Sequence, residues 1–287
     1  MFQSLKRQKT QEADQTYQFD PIMESVVQFL EFRDCAQVSM LDKEFDSRMW
    51  LHVLRSWTRD VNSWVKIKVC AKSMPWIVRY AAELKYINLI IRETPQVDID
   101  FEGLGVTEVA SLSIWWCTIR NLQLPSQLRH LDLSDTIWRA GVRIPHTLTR
   151  FQICNRTINV SITNILGSLP RGTLERLYIL DCKFHLASSP MFPHVKKVCW
   201  RTDNKNALQG IQTKFPSLRR LDIEHDTIDL MPLIGSQITK LRIASINLCD
   251  LTPLRNIPIT RLDVRDCPSI VNFDAVRHVS TLIKFDK

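Results

Sequence analysis

The phrase apolar-x-x-apolar-x-apolar recurs through the last two-thirds of this 287-residue chain and limits its fold more than any other feature. It reads Val109/Leu112/Ile114, Leu128/Leu131/Leu133, Leu148/Phe151/Ile153 and Leu174/Leu177/Ile179. It continues as Val195/Val198/Trp200, Leu218/Leu221/Ile223, Ile238/Leu241/Ile243 and Ile259/Leu262/Val264, and a last copy degrades to Leu282/Phe285. Its central residues step by 19, 20, 26, 21, 23, 20, 21 and 23 positions. The central and final apolar residues are two apart, so both face one side of a short strand. A further apolar residue follows, as at Ile137, Phe184, Ile228, Leu248 and Ile270, and turns the chain back over the same core. One such unit cannot bury its own apolar face, whereas stacked units share a continuous core. Connectors such as "QLPSQ", "SLPRGT", "FPS" and "NIP" carry the proline and polar signals of turns.

Over roughly residues 105–287 the repeat resembles the leucine-rich-repeat family, whose period it matches. The resemblance implies an α/β fold, a leucine-rich-repeat solenoid built on a curved parallel sheet. Most turns lack the asparagine that the family often carries after the strand. Cys182 in "LDC" and Cys267 in "RDC" resemble the cysteine-containing subtype instead, and Asn155 in "ICNRT" sits one place early.

Upstream the pattern changes. Residues 1–18 are expected to be disordered, residues 19–54 to form a small helical domain, and residues 55–104 a helical linker or cap. Asp20-Pro21 is a helix start, with an N-cap carboxylate and proline at the first helical position. Ile22, Val26, Phe29 and Leu30 then recur at helical spacing. Asp34 can cap a second short helix carrying Cys35, Val38 and Leu41, and Asp42 a third carrying Phe45, Met49, Trp50 and Val53. Together, "FDPIMESVVQFLEFRDCAQVSMLDKEFDSRMW" resembles an F-box. Pro21 stands in its Leu-Pro opening, Val26-Val27 and Phe29-Leu30 at its apolar pairs, and Met49-Trp50 at its closing Leu-Trp. The third helix is a few residues short, and several positions match by class only. The resemblance implies docking on the linker subunit of a cullin–RING ligase through Pro21, Ile22, Val26, Val27, Phe29, Leu30, Cys35 and Val38. The plainer alternative is a helical cap that shields the first repeat. Trp50, Trp57 and Trp64 fall seven apart, a stripe that suits a helix core. "MPWIVRYAAELKYINLIIRE" reads as another amphipathic helix, with a strand at "YINLII" possible at its end.

Charge separates the two regions. Residues 12–50 hold nine acidic and three basic side chains, a balance of −6, whereas residues 101–287 hold 24 basic and 16 acidic, a balance of +8. Such asymmetry is expected when the two ends meet different surfaces. No apolar run reaches the roughly 18 residues of a membrane helix, so no membrane partner is expected. The eight cysteines form no Cys-x-x-Cys pair and no zinc spacing, which fits reduced thiols in the cytoplasm or nucleus. The basic opening "MFQSLKRQKTQ" lacks the apolar stretch of a secretory signal but remains compatible with a short organellar presequence.

In each phrase, the residues just before and between the two inward apolar ones face outward. The first of these positions reads His130, Arg150, Arg176, Lys197, Arg220, Lys240, Arg261 and Lys284 from the second copy onward. Like charges about 4.8 Å apart repel by about 0.9 kcal/mol per pair in water. Asp132, Asp222, Asp263 and Asp286 lie two residues along the same face and could relieve that repulsion. Two readings stay open: a solvated ladder of ion pairs, or a surface for an acidic or phosphorylated protein. For the second, the best stretch is Arg150, Arg176, Tyr178, Lys197 and Arg201, whose turns 148–154 and 195–201 carry no outward carboxylate. Arg220 and Arg242 extend it, whereas Arg261 reads as neutralised by the adjacent Asp263.

Catalytic chemistry finds no foothold. The seven histidines take no metal spacing, and "EHD" at 224–226 reads as a surface charge cluster. There is no phosphate-cradling glycine loop and no nucleophile elbow. Cys35 and Cys70 fall in apolar helical patterns with nothing to activate them. No RNA-binding motif appears, so nucleic acid is not an expected partner. The expectation is a non-enzymatic binding protein without cofactor. The resemblances imply a target-recognition adaptor of an SCF-type ligase that docks the linker subunit and cullin. The alternative is a scaffold or assembly factor whose helical head is only a cap.

Overall fold

Alternation of apolar and polar residues makes strands of the repeated phrases, and the shared period sets them side by side. In the computed structural model the described residues are 65–69, 87–92, 98–100 and 109–284, apart from 116–117, 121, 139–141, 156–161, 183–185 and 203–205. Two compact units are distinguished, Met1–Ser56 and Trp57–Lys287, and every described residue belongs to the second. The F-box-like segment therefore lies outside the described residues. So do the residues expected to dock a linker subunit, Pro21, Ile22, Val26, Val27, Phe29, Leu30, Cys35 and Val38, and the tryptophan stripe at 50, 57 and 64.

The strands are β1 (Val65–Val69), β2 (Ile87–Arg92), β3 (Asp98–Asp100), β4 (Ser111–Trp115), β5 (Thr118–Arg120), β6 (His130–Ser134) and β7 (Ile137–Trp138). They continue as β8 (Arg150–Cys154), β9 (Arg176–Leu180), β10 (Lys197–Arg201), β11 (Arg220–Glu224), β12 (Lys240–Ala244), β13 (Arg261–Asp266) and β14 (Thr281–Lys284). Eleven of them form one open sheet in the order β1-β2-β4-β6-β8-β9-β10-β11-β12-β13-β14, and all neighbours are parallel. β3, β5 and β7 make a second, three-stranded parallel sheet. Among the described residues helices are few and short: α1 (Thr163–Ser168), α2 (Ile211–Lys214), and single 3₁₀ turns at Leu186–Ser188, Met231–Leu233, Thr252–Leu254 and Phe273–Val276. The architecture is α/β and solenoid-like, with parallel strands stacked in sequence.

A repeated backbone device holds the register. The carbonyl just before each strand accepts two N–H groups from the next turn. Ala110 accepts from Arg129 and His130 (2.8 and 3.1 Å), and Arg129 from Thr149 and Arg150 (2.8 and 3.0 Å). Thr149, Glu175, Lys196, Arg219 and Thr239 repeat the pattern down to β13. The apolar positions then stack. Leu131, Phe151, Leu177, Val198, Leu221, Leu241 and Leu262 are each no more than 2% exposed. The return path closes the core with Leu233, Leu254 and Val276 from the 3₁₀ turns and the stacked rings of Phe192 and Phe215, 5.8 Å apart.

Two expectations need correction. The stretch read as a helical linker contributes β1 and β2 to the main sheet, so strand stacking starts well before residue 105. In β1, Val65, Ile67 and Val69 alternate with two lysines and register with Ile87, Leu89 and Ile91. That two-residue period is a strand signal, and the strand at "YINLII" is present as β2. The last copy is also shifted. Leu282, not Phe285, registers with Leu262, because the N–H of Thr281 donates to the carbonyl of Thr260 (2.9 Å).

The exits of the strands explain the two cysteines. Asp135 and Asp181 take positive φ (48° and 57°), a region aspartate tolerates better than most residues. The residues after them then turn inward. Thr136 donates its hydroxyl to the Ile114 carbonyl (2.9 Å), and Cys182 its thiol to the Leu180 carbonyl (3.2 Å). Cys267 donates likewise to Ile243 (3.3 Å). Burial pushes the Cys182 thiol up to about 12 and the Cys267 thiol to about 11, so both stay protonated as carbonyl donors. Asn155, although one place early, is buried, and its N–H donates to Leu180 (3.0 Å).

Leu221 is fully buried in the middle of the stack, whereas Leu282 is half-buried on the edge strand β14. Leu221→Ala should cost about 2–5 kcal/mol in urea unfolding, and Leu282→Ala clearly less. Equal losses would show that the stack does not bury its centre more deeply than its edge.

Candidate functional site

One face of the main sheet meets the core, and the alternate side chains of β6 and β8 to β13 face away from it. Register brings His130, Arg150, Arg176, Lys197, Arg220, Lys240 and Arg261 into a single row across seven adjacent strands. The row ends there. Thr281 lies beside Arg261, and Lys284 instead places its ammonium 5.4 Å over the Phe273 ring. The expected eighth member is thus not in the row, and Asp286 lies outside the described residues. Seven basic residues on neighbouring strands would repel one another, and the structure answers that repulsion differently along the row.

At its start, burial and then the charges of Arg150, Arg176 and Arg129 lower the pKa of His130, which favours the neutral ring. Arg150 and Lys197 both reach Tyr178 on the strand between them. The guanidinium carbon lies 4.6 Å from the ring centroid and the ammonium 4.9 Å. An exposed cation–π contact is worth about 0.5–1 kcal/mol, enough to offset much of one pairwise repulsion. Arg150 also donates to Gln152 (3.4 Å), which donates to Asp132 (3.2 Å). Asp132 takes further hydrogen bonds from Trp115 (3.1 Å) and Ser134 (2.9 Å), so it anchors a polar network. Burial raises the Asp132 carboxyl pKa against those hydrogen bonds.

In the centre, Asp222 serves two strands. Its carboxylate lies 3.4 Å from Lys197 and 3.1 Å from Arg220. Arg201 sits between Asp181 (3.5 Å) and Glu224 (2.9 Å), and Arg242 pairs with Asp266 (3.1 Å). Lys197 and Arg201 therefore do have carboxylates, supplied from neighbouring strands. Their own turns carry none, which is why inspection of single turns missed them.

Arg261 departs from expectation in the opposite sense. Asp263 pairs with Arg265 through two hydrogen bonds (3.0 and 2.9 Å) and is only 8% exposed. Arg265 follows Asp263 by two residues on the same strand, and beyond Asp263 the register of β12 on β13 shifts, so β13 holds one residue more and Ala244 lies opposite Asp266. Arg261 is left without the carboxylate predicted to neutralise it. Among the described residues Arg176, Lys240 and Arg261 are exposed and carry no ion pair.

Of the residues singled out in the sequence, Arg150, Tyr178 and Lys197 are in contact, Arg176 is exposed beside them, and Arg201, Arg220 and Arg242 are held in ion pairs. The sequence reading passed over a cleft of about 180 Å³ lined by Arg220, Asp222, Lys240, Leu241, Arg242, Arg261 and Asp263. Its one readable signal was the long strand "RLDVRD".

At "EHD", Glu224 faces Arg201, and the His225 ring accepts the N–H of Thr227 (2.8 Å), so the cluster closes a turn. Among the described residues no group of three or more His, Cys, Asp or Glu could hold a metal ion, and no helix is long and apolar enough to cross a membrane. A scan of the chain against protein-family models finds no match, and a search of curated proteins finds no relative.

Burial alone would raise the Asp263 carboxyl, but the Arg265 hydrogen bonds outweigh it and hold its pKa below the usual value. A carboxyl depressed on folding stabilises above its unfolded pKa, near 4, and loses that contribution as pH falls through the lower folded value. Asp263→Asn should therefore cost about 1 kcal/mol at pH 7. The urea midpoints of variant and parent should converge at acid pH. A difference that persists unchanged into acid would remove the pair as its source.

Proposed function

We propose that the protein is the target-recognition adaptor of an SCF-type cullin–RING ubiquitin ligase. The F-box-like segment docks the linker subunit, and the outward face of the repeat sheet, read as a leucine-rich-repeat surface, binds an acidic or phosphorylated protein. The observation that carries the target half is the basic row, in which Arg176, Lys240 and Arg261 are exposed and carry no ion pair among the described residues. Buried anchors would supply most of the linker-subunit affinity, and Pro21, Ile22, Val26, Val27, Phe29 and Leu30 are the apolar side chains assigned that role. The protein then acts by raising the effective concentration of target at the charged conjugating enzyme, with no chemistry of its own. The expected sites of action are cytoplasm and nucleus.

The linker subunit and a cullin should co-purify with the intact protein. Val27→Asp with Leu30→Asp should weaken that association by about 30-fold or more, the scale of losing a buried anchor of about 2 kcal/mol. Association that survives both changes, or none at all, sinks the adaptor reading.

Target binding has its own check. Arg150→Glu with Arg176→Glu should lower the affinity for a captured partner at least tenfold and flatten its salt dependence. Unaltered affinity would leave the row as a self-contained ion-pair ladder.

A further inference from the structure

The cleft between β11, β12 and β13 holds two exposed cations with no ion pair among the described residues, Lys240 and Arg261, beside carboxylates that are already paired. We propose that it takes a phosphoryl group, presented on a serine or threonine side chain of the partner protein. The inference rests on the outward face being the target surface, and it adds the chemistry of one contact.

Charge balance selects the ligand class. The lining holds four basic groups, Arg220, Lys240, Arg242 and Arg261, against two acidic ones, Asp222 and Asp263, which leaves +2. Including Lys197, Arg265 and Asp266, which pair with members of the lining, raises the excess to +3. A phosphate monoester carries about −1.5 to −2 at neutral pH and comes closer to that excess than the single charge of a carboxylate. The carboxylates of the cleft do not oppose an incoming anion fully, because each has its own cation. Asp222 is shared by Arg220 and Lys197, and Asp263 is bound by Arg265. Lys240 and Arg261 line the cleft from adjacent strands in register, about 4.8 Å apart along the sheet. One offers a compact ammonium and the other a planar fork that can bind two phosphate oxygens. Leu241, buried to 2% exposure, contributes an apolar part of the lining and favours charge pairing over hydration.

Nucleic acid fits the cleft less well. Among the described residues no aromatic side chain lines it to stack a base, and Asp222, two residues along β11 from Arg220, sets a carboxylate beside the positive row.

Fluorescence anisotropy with the full chain tests the assignment. The probes are three labelled degenerate peptide pools that differ only at a central phosphoserine, serine or glutamate. The phosphoserine pool should bind at least tenfold more tightly than the serine pool and more tightly than the glutamate pool. Lys240→Gln with Arg261→Gln should remove that preference, and inorganic phosphate should compete. Both side chains are exposed with no ion pair among the described residues, so urea midpoints should not move, and Lys240→Arg with Arg261→Lys should retain binding. Equal binding of the phosphoserine and serine pools overturns the proposal, as does an unchanged preference in the double variant. Tighter binding of inositol hexakisphosphate through the same two residues would overturn the side-chain source, and tighter binding of a single-stranded oligoribonucleotide would overturn the protein partner. The assay needs no ligase subunit. If phosphoserine selectivity stands while the linker subunit and cullin fail to co-purify, the site survives and the adaptor reading falls. The reverse result leaves the adaptor reading and removes the site.

Discussion

One carbonyl per turn, accepting two N–H groups from the next, holds the main-sheet strands β4, β6 and β8 to β13 in step. Everything on both faces of that run follows from this alignment. Because side chains alternate with a period of two, a slip by one residue would turn the buried set outward and the charged set inward. The alignment explains why connectors can vary so freely. The distance between the central residues Phe151 and Leu177 is 26 positions, yet Arg150 and Arg176 still lie side by side. The return path need only cover the core, which short helices and 3₁₀ turns do equally well.

The same alignment creates the electrostatic problem on the outward face, and the protein meets it with three different chemistries. Lowering the pKa of His130 favours its neutral form, a shared aromatic ring holds Arg150 and Lys197, and a shared carboxylate holds Lys197 and Arg220. Lys197 belongs to both of the last two arrangements, so the middle of the row is a coupled unit. Arg176, Lys240 and Arg261 stand outside it. That division, rather than the total of basic residues, distinguishes side chains engaged within the protein from those available to something else.

The repeat positions were legible because the phrase is local: Leu131 and Leu133, or Leu221 and Ile223, announce their strands within six residues. The row of basic residues followed from the same spacing. What lay beyond the sequence were relations between turns. Asp222 and Lys197 are 25 positions apart, and nothing along the chain says that they meet. β1 was missed because tryptophans spaced by seven overlay the shorter alternation of Val65, Ile67 and Val69. The last strand was misplaced because "TLIK" offers adjacent apolar residues, Leu282 and Ile283, in place of the spaced pair. There the backbone bond from Thr281 to Thr260, not the side-chain pattern, decides the register.

The extra residue in β13 has a wider meaning. The register shift sets Asp266 opposite Ala244, where it pairs with Arg242, while Asp263 pairs with Arg265 two residues along its own strand. Specificity on a surface built this way can be retuned by insertion alone, since one added residue exchanges ionic partners while the stacked core beneath keeps its spacing.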